Sequence, residues 1–268
     1  MYENQFIKSF YFFNDFFLIF MVSSCSIIVD SVIRGVEKGV SQTVEKKVEE
    51  AVYSGLAPKS DIPKPATAQW GRFMALQAQV LFSYTFSPGG YWVGKIVFSP
   101  GEYVKYEMSE NDGSKVIIEK AFLKKLDNRN RWWRISWVSG DETWIYEALL
   151  SPAEQRIVRL RARDTNRNEG EVPIIEKIVY IQPAKITDES IQGATVGKEV
   201  VETPAGKFEC DYVVFVSVSS EGKIEWWIND SIPGGVIKYM LTDNEGKVAW
   251  SAVLKEYGKG ATIVLESY

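Results

Sequence analysis

The chain has 268 residues, 46% of them apolar, with 31 basic and 35 acidic side chains and a formal charge of −4. That length and apolar content can bury a sizeable core, and the small negative charge offers no general attraction to nucleic acid. With no histidine and only two cysteines, Cys25 and Cys210, the chain excludes serine–histidine and cysteine–histidine catalysis, a four-cysteine zinc site and a CxxC redox pair.

The first element is an apolar stretch, Phe10–Val22, preceded by Lys8 and interrupted by Asn14 and Asp15. Its uninterrupted part, Phe16–Val22, is far shorter than the roughly 20 residues a bilayer-spanning helix needs. Charge, apolar run and small residues follow in the order of a secretory signal. The residues Val22-Ser23-Ser24-Cys25 resemble the bacterial lipobox, which implies cleavage before Cys25 and lipidation of Cys25 as the new first residue. The competing reading is a transmembrane anchor from about Phe10 to Val29, and Asn14 and Asp15 weigh against it because they are costly at membrane depth. Acyl chains at about 0.8 kcal/mol per buried CH₂ would tether the chain permanently. Serine after the cysteine implies, by resemblance to enterobacterial sorting, the outer membrane over the inner. Residues 1–24 are thus expected to be a signal peptide and residues 25–55 a lipidated N-terminal helix, facing the periplasm.

In that helix Val32, Val36, Val40, Val44, Val48 and Val52 recur every fourth residue. Each such step advances about 40° around a helix of 3.6 residues per turn, so the stripe winds and does not stay on one face. Residues 56–66 hold three prolines and read as an extended linker. Thr67 is placed to cap a second helix, Thr67–Tyr84, whose Trp70, Phe73, Met74, Gln77, Val80, Leu81 and Tyr84 approximate an i, i+3, i+4, i+7 stripe.

Beyond Ser87-Pro88-Gly89-Gly90 the period changes to two. It predicts strands at Tyr91–Phe98, Glu102–Met108, Lys115–Leu126, Arg131–Val138, Glu142–Leu150 and Arg156–Asp164, then at Lys198–Thr203, Lys207–Val218, Lys223–Ile228, Val236–Thr242 and Val248–Tyr257. The less regular Asn166–Gly197 is expected to hold a short helix near Pro173–Ile178. A sheet of about eleven strands must twist, curl or close. The expected fold is mainly β (α+β): residues 67–268 form a strongly curved antiparallel sheet, an incomplete barrel with a helix in its concave side.

Alternation sorts the faces. Trp92, Ile96 and Phe98; Val104, Tyr106 and Met108; Trp133, Ile135 and Trp137; Ile224, Trp226 and Ile228; and Ile237, Tyr239 and Leu241 are expected to share the interior. The helix adds Trp70 and Phe73. A ligand-lining set follows: Trp70, Phe73, Trp92, Phe98, Tyr106, Trp133, Trp137, Trp226 and Tyr239. It is either an ordinary core, if the helix fills the concavity, or an apolar cavity suited to an acyl chain. On the other face Lys105 with Glu107, and Lys223 with Glu225, read as solvated. Arg159, Arg161 and Arg163 form a surface-basic row, either a solvated edge or a contact for anionic headgroups or an acidic partner. No phosphate-binding glycine loop, carboxylate pair, metal site or cofactor site can be assigned.

The segment from Val201 to Gly258 resembles the ending of bacterial envelope proteins with the half-barrel fold of the lipoprotein carriers LolA and LolB. Thr203-Pro204-Ala205-Gly206 leads into a strand ending at Cys210, and a Trp227…Pro233-Gly234-Gly235…Lys238 hairpin follows. The resemblance covers about the last sixty residues and implies an incomplete barrel whose aromatic concave side can hold lipid. Two readings stay open: a non-enzymatic envelope lipoprotein that binds lipid or lipoprotein acyl chains, and a scaffold lipoprotein with a packed half-barrel that engages another envelope protein. In both, the membrane is met through the N-terminal lipid, and nucleic acid is not a partner.

Overall fold

The computed structural model describes residues 68–86, 91–93, 98–110, 113–153, 156–174, 184–186, 188–217, 222–243 and 245–265. Cys25, the valine-stripe helix, the 56–66 linker and the Thr67 cap lie outside the described residues.

Helix α1 spans Ala68–Phe86. It runs two residues past the expected end because Thr85 and Phe86 carry no breaker, while Pro88 cannot continue a helix. Strand β1, Tyr91–Val93, is followed by β2 (Glu102–Glu110), β3 (Lys115–Lys125), β4 (Arg131–Ser139), β5 (Glu142–Ser151), β6 (Arg156–Arg163) and β7 (Glu169–Glu171). After β8 (Ala184–Ile186) and helix α2 (Asp188–Ala194) come β9 (Thr195–Thr203), β10 (Gly206–Ser217), β11 (Gly222–Ile228), β12 (Val236–Thr242) and β13 (Val248–Lys259).

Eleven of these strands make one antiparallel sheet in the order β7-β6-β5-β4-β3-β2-β13-β12-β11-β10-β9. It consists of two up-and-down meanders joined where β2 pairs β13, with Ala252 opposite Met108. Edges β7 and β9 do not pair with each other, so the barrel stays open. Register shifts within β3–β4, β5–β6, β11–β12, β12–β13 and β13–β2 insert residues that bend and coil the sheet. The chain between β7 and β9 must pass from one edge of the sheet to the other, and it carries β8 and α2 on the way.

One expectation is corrected here. The strand expected over Tyr91–Phe98 is only three residues long as described, and it pairs in parallel with β8 in a separate two-stranded sheet, with Trp92 opposite Lys185. Trp92 therefore does not belong to a strand of the large sheet. The three-residue partner at 184–186 is too short to show a period. The place of an eleventh strand is taken by β7, which lies in the less regular stretch Asn166–Gly197. The expected helix near Pro173–Ile178 falls mostly outside the described residues, and Pro173 and Ile174 have no regular structure. Helix α2 lies further on.

Candidate binding face of the half-barrel

Helix α1 lies against the β3–β6 half of the sheet, and its polar atoms fix the register of that contact. Trp70 Nε1 donates to Asp164 Oδ2 at 2.9 Å, just beyond β6. One turn on, the Phe73 ring meets Trp144 of β5 at 5.8 Å. A turn further, the Tyr146 hydroxyl donates to Gln77 Oε1 and sits 3.7 Å from Met74 Sδ. Met74, Ala75, Ala78, Leu81 and Phe82 are buried between these anchors. At the helix C-terminus Lys120 of β3 donates to the Thr85 carbonyl at 3.3 Å. A cation there satisfies a carbonyl the helix leaves open and meets the negative end of its dipole.

Lys120 is the polar surprise of this face. In β3 it alternates in step with Val116, Ile118 and Phe122, all buried. Its ammonium sits 5.2 Å from the Phe98 ring centre and 5.4 Å from that of Trp133. Burial pushes its pKa down to about 7, because a charged amine is poorly solvated among rings. The sequence signal was present, a lysine at an even position of an apolar-even strand, but alternation reads such a residue as an exception to be ignored.

Phe98 stacks edge-on against Trp133 at 5.2 Å, and Trp133 lies on Phe122 at 4.7 Å. Across the mouth Phe98 also touches the Pro233-Gly234-Gly235 hairpin: a Cβ on Gly234 would come within 2.7 Å of the Phe98 ring. Gly234 and Gly235 both have positive φ, 74° and 72°. The proline–glycine–glycine motif thus lets a backbone turn and an aromatic ring share space that a side chain would occupy.

In the other half, the concave side carries a ring column. Trp226 of β11 lies directly opposite Tyr239 of β12, with centroids 6.1 Å apart, and Tyr239 stacks on Trp250 of β13 at 4.3 Å. Trp226 and Tyr239 are each 1% exposed. Neither Trp226 Nε1 nor the Tyr239 hydroxyl has a hydrogen-bond partner among the described residues. Tyr106, by contrast, donates to the Val236 carbonyl at 2.9 Å. Burial raises the pKa of both tyrosines, which keeps the Tyr239 hydroxyl a neutral donor.

The structure therefore brings Trp70, Phe73, Phe98, Tyr106, Trp133, Trp137, Trp226 and Tyr239 into or against one continuous core. Trp92 stands apart in the small sheet, and nothing further is assigned to it.

The opposite face is less open than alternation suggests. Arg159 and Arg163 are partly exposed, but Arg161, expected at the surface, is buried at 4%. Arg134 of β4 lies opposite Glu147 of β5, and Glu147 opposite Arg161 of β6, which faces Glu171 of β7. Glu119 pairs Arg134 at 2.8 Å, Glu171 pairs Arg159 at 2.8 Å and Glu169 pairs Arg163 at 2.6 Å. Charge alternates across the strands, so the arginine row is neutralised from its neighbours. Residues 260–265 cross over it. The Val264 N–H donates to Glu147 Oε1 at 2.8 Å, Arg134 donates to the Thr262 carbonyl, and Arg163 donates to the Val264 carbonyl at 3.0 Å. Beneath this strap Ala121, Leu123 and Trp132 form a second small core with Ala261 and Ile263. Glu225, read from sequence as solvated, is 4% exposed and accepts from the Tyr212 hydroxyl and from Thr242 Oγ1. Alternation assigns one wet face, whereas neighbouring strands and the strap bury Arg161, and Tyr212 and Thr242 close over Glu225.

Among the described residues no group of three or more cysteine and carboxylate side chains is placed to hold a metal ion. No helix among them is long and apolar enough to cross a membrane.

These features define a class: an open antiparallel half-barrel with a helix in its aromatic concave side. No family model matches the chain, and no curated protein does. Solved structures similar to it include a candidate lipoprotein of Parabacteroides distasonis ATCC 8503, at 11% identity and a TM-score of 0.32, covering 61% of this chain and 97% of that one. The MucA/MucB complex of Pseudomonas aeruginosa is similar at 10% identity and a TM-score of 0.40, covering 71% of this chain and 58% of that one. A candidate outer-membrane lipoprotein-sorting domain of Vibrio parahaemolyticus follows at 10% identity and a TM-score of 0.22, covering 74% and 95%. The first is described as a lipoprotein and the third as a lipoprotein-sorting domain.

Proposed function

We propose that this protein is a non-enzymatic lipoprotein of the bacterial cell envelope, tethered through Cys25, whose half-barrel binds lipid or lipoprotein acyl chains. The observation that carries the reading is a pair of donors, Trp226 Nε1 and the Tyr239 hydroxyl, which have no partner among the described residues and lie buried side by side in the aromatic column of the concave face. Leaving such a group unsatisfied costs about 1–3 kcal/mol, so a face evolved only to pack has reason to replace it. An acyl chain lined by aromatic rings, with its ester or carboxyl oxygen against the two donors, satisfies both the apolar surface and the polar atoms. The absence of histidine excludes histidine-based catalysis.

A second reading, a packed half-barrel that engages an envelope protein, is favoured by the zero exposure of Met74, Ala75, Ala78 and Phe82 under the sheet. The two are separated by extracting the purified full chain with solvent and by native mass spectrometry. Stoichiometric lipid beyond the chains on Cys25 supports the binding reading. A reproducibly empty protein that also fails to take up a fluorescent fatty acid removes it. Labelling with a clickable palmitate tests the tether: a Cys25→Ala protein that still takes up label at the wild-type level overturns that assignment.

A further inference from the structure

The two edges of the sheet are built differently. Edge β7 is three residues long, and its carboxylates are held by arginines of β6, so it offers little to pair with. Edge β9 is nine residues long and mostly exposed, with Val196 at 68% and Val200 at 61%. Among the described residues no strand pairs with its outer side. A long edge with exposed valines is what monomeric sheets usually avoid, and the irregularity in its pairing with β10 falls at Val196, near its start and away from Val200.

The ladder phase of this edge follows from its hairpin. Thr203 pairs Gly206 across the two-residue turn Pro204-Ala205, and Val201 pairs Phe208. In such a hairpin the flanking pair exchanges hydrogen bonds, and every second pair after it does the same. Thr203, Val201 and Glu199 therefore bond inward to β10, and the backbone groups of Glu202, Val200 and Lys198 point outward.

We propose that β9 is a self-association edge, and that two copies of this chain join by antiparallel β9–β9 pairing about a two-fold axis at Val200. This register sets Val200 opposite Val200, and it sets Lys198 of each copy opposite Glu202 of the other, twice by symmetry. All three positions are the outward-bonding ones, so about six backbone hydrogen bonds form at once. Of the neighbouring symmetric registers, an axis at Val201 leaves Lys198 opposite Pro204 and Glu202 opposite Val200 and so forms no ion pair, and two others fail on charge. An axis at Lys198 stacks lysine on lysine, and an axis at Glu199 stacks two carboxylates and takes Glu199 from its bond with Trp227 Nε1. Lys198 already reaches Glu209 at 3.2 Å, but that pair is about two-thirds exposed on both sides and exchanges at little cost. Glu202 has no ion-pair partner among the described residues. The partner that fits this edge is thus a second copy, through its own Lys198 and Glu202.

The test is sedimentation velocity on the full chain in density-matched detergent, over about 1–100 µM, with circular dichroism melts to check folding. The wild type is expected to form a reversible dimer. Lys198→Glu and Glu202→Lys singly place like charges across both symmetric pairs and are expected to weaken it at least about tenfold. The double exchange, K198E with E202K, is expected to restore it. Every variant carries the same N-terminus, so shared micelles cannot imitate this pattern. Val200→Asp, at an exposed position, sets two carboxylates face to face on the axis and serves if a single charge variant fails to fold. A wild type that stays monomeric throughout, or a folded double exchange that stays as weak as the singles, overturns the proposal.

Discussion

Replacing Tyr239 by phenylalanine separates what the hydroxyl does for the fold from what it does for a ligand. Tyr239 is 1% exposed, ring-stacked on Trp250 and beside Trp226, and its hydroxyl meets no partner among the described residues. Tyr239→Phe keeps the ring and its stacking and removes only the oxygen. A buried, unpaired hydroxyl costs roughly 1–3 kcal/mol, part of which a water can recover, so the ligand-free variant should gain about 1 kcal/mol. For a folded unit of some 200 residues that is about 2–4 °C in Tm, read by thermal melts and urea titration on delipidated protein. The same variant should bind a fatty-acid probe about five- to tenfold more weakly, since a ligand oxygen loses one neutral donor worth about 1 kcal/mol. Trp226→Phe, which also removes ring area, serves as the partner variant. The reasoning is refuted if Tyr239→Phe destabilises the delipidated protein by more than about 1 kcal/mol, because the hydroxyl would then have a structural partner. Unchanged stability with unchanged probe affinity refutes the donor role.

Lys120 gives a pH signature. Its folded pKa of about 7 lies below the unfolded value near 10.5, so between these values the unfolded chain binds more protons and stability rises with pH. The unfavourable term is fully present below about pH 7 and is gone above about 10.5. Each unit is worth 1.36 kcal/mol, and the partial exposure of Lys120 reduces the total to roughly 2 kcal/mol. Lys120→Met should remove this slope in urea titrations at pH 7 and 9.5, and a slope that survives the substitution counts against it. Gly234→Ala must place a Cβ 2.7 Å from the Phe98 ring at φ 74°, and a loss of about 2–3 kcal/mol is expected in the same titrations. Ending the chain at Lys259 strips the strap from Trp132 and from Glu147. Added dye binding and a loss of at least about 2 kcal/mol should follow, measured by denaturation and an apolar fluorescent dye. The Cys210 thiol, pushed up to about 11 by burial and then by Asp211 and Glu199, should resist iodoacetamide at pH 8 until the chain is unfolded.

The sequence by itself determined the secondary-structure class, most strand limits, the helix that enters the sheet and the interior face of β2, β4, β11 and β12. Those are local properties: a period of two or 3.6, and proline–glycine turns such as Pro233-Gly234-Gly235, are written in neighbouring residues. It also pointed to Cys25, which lies outside the described residues. Only the tertiary structure decided how the strands are ordered, because pairing β2 with β13 joins residues about 150 positions apart and no local pattern encodes it. The same pairing leaves β7 and β9 as the edges. Tertiary structure also buried Arg161 and Glu225 and closed the strap over Trp132, since alternation reports that a residue faces a given side and cannot report whether something covers that side. Lys120 and the Trp226–Tyr239 donors belong to this second kind. Their chemistry comes from what surrounds them, and their surroundings come from four different strands and a helix that meet only in the folded chain.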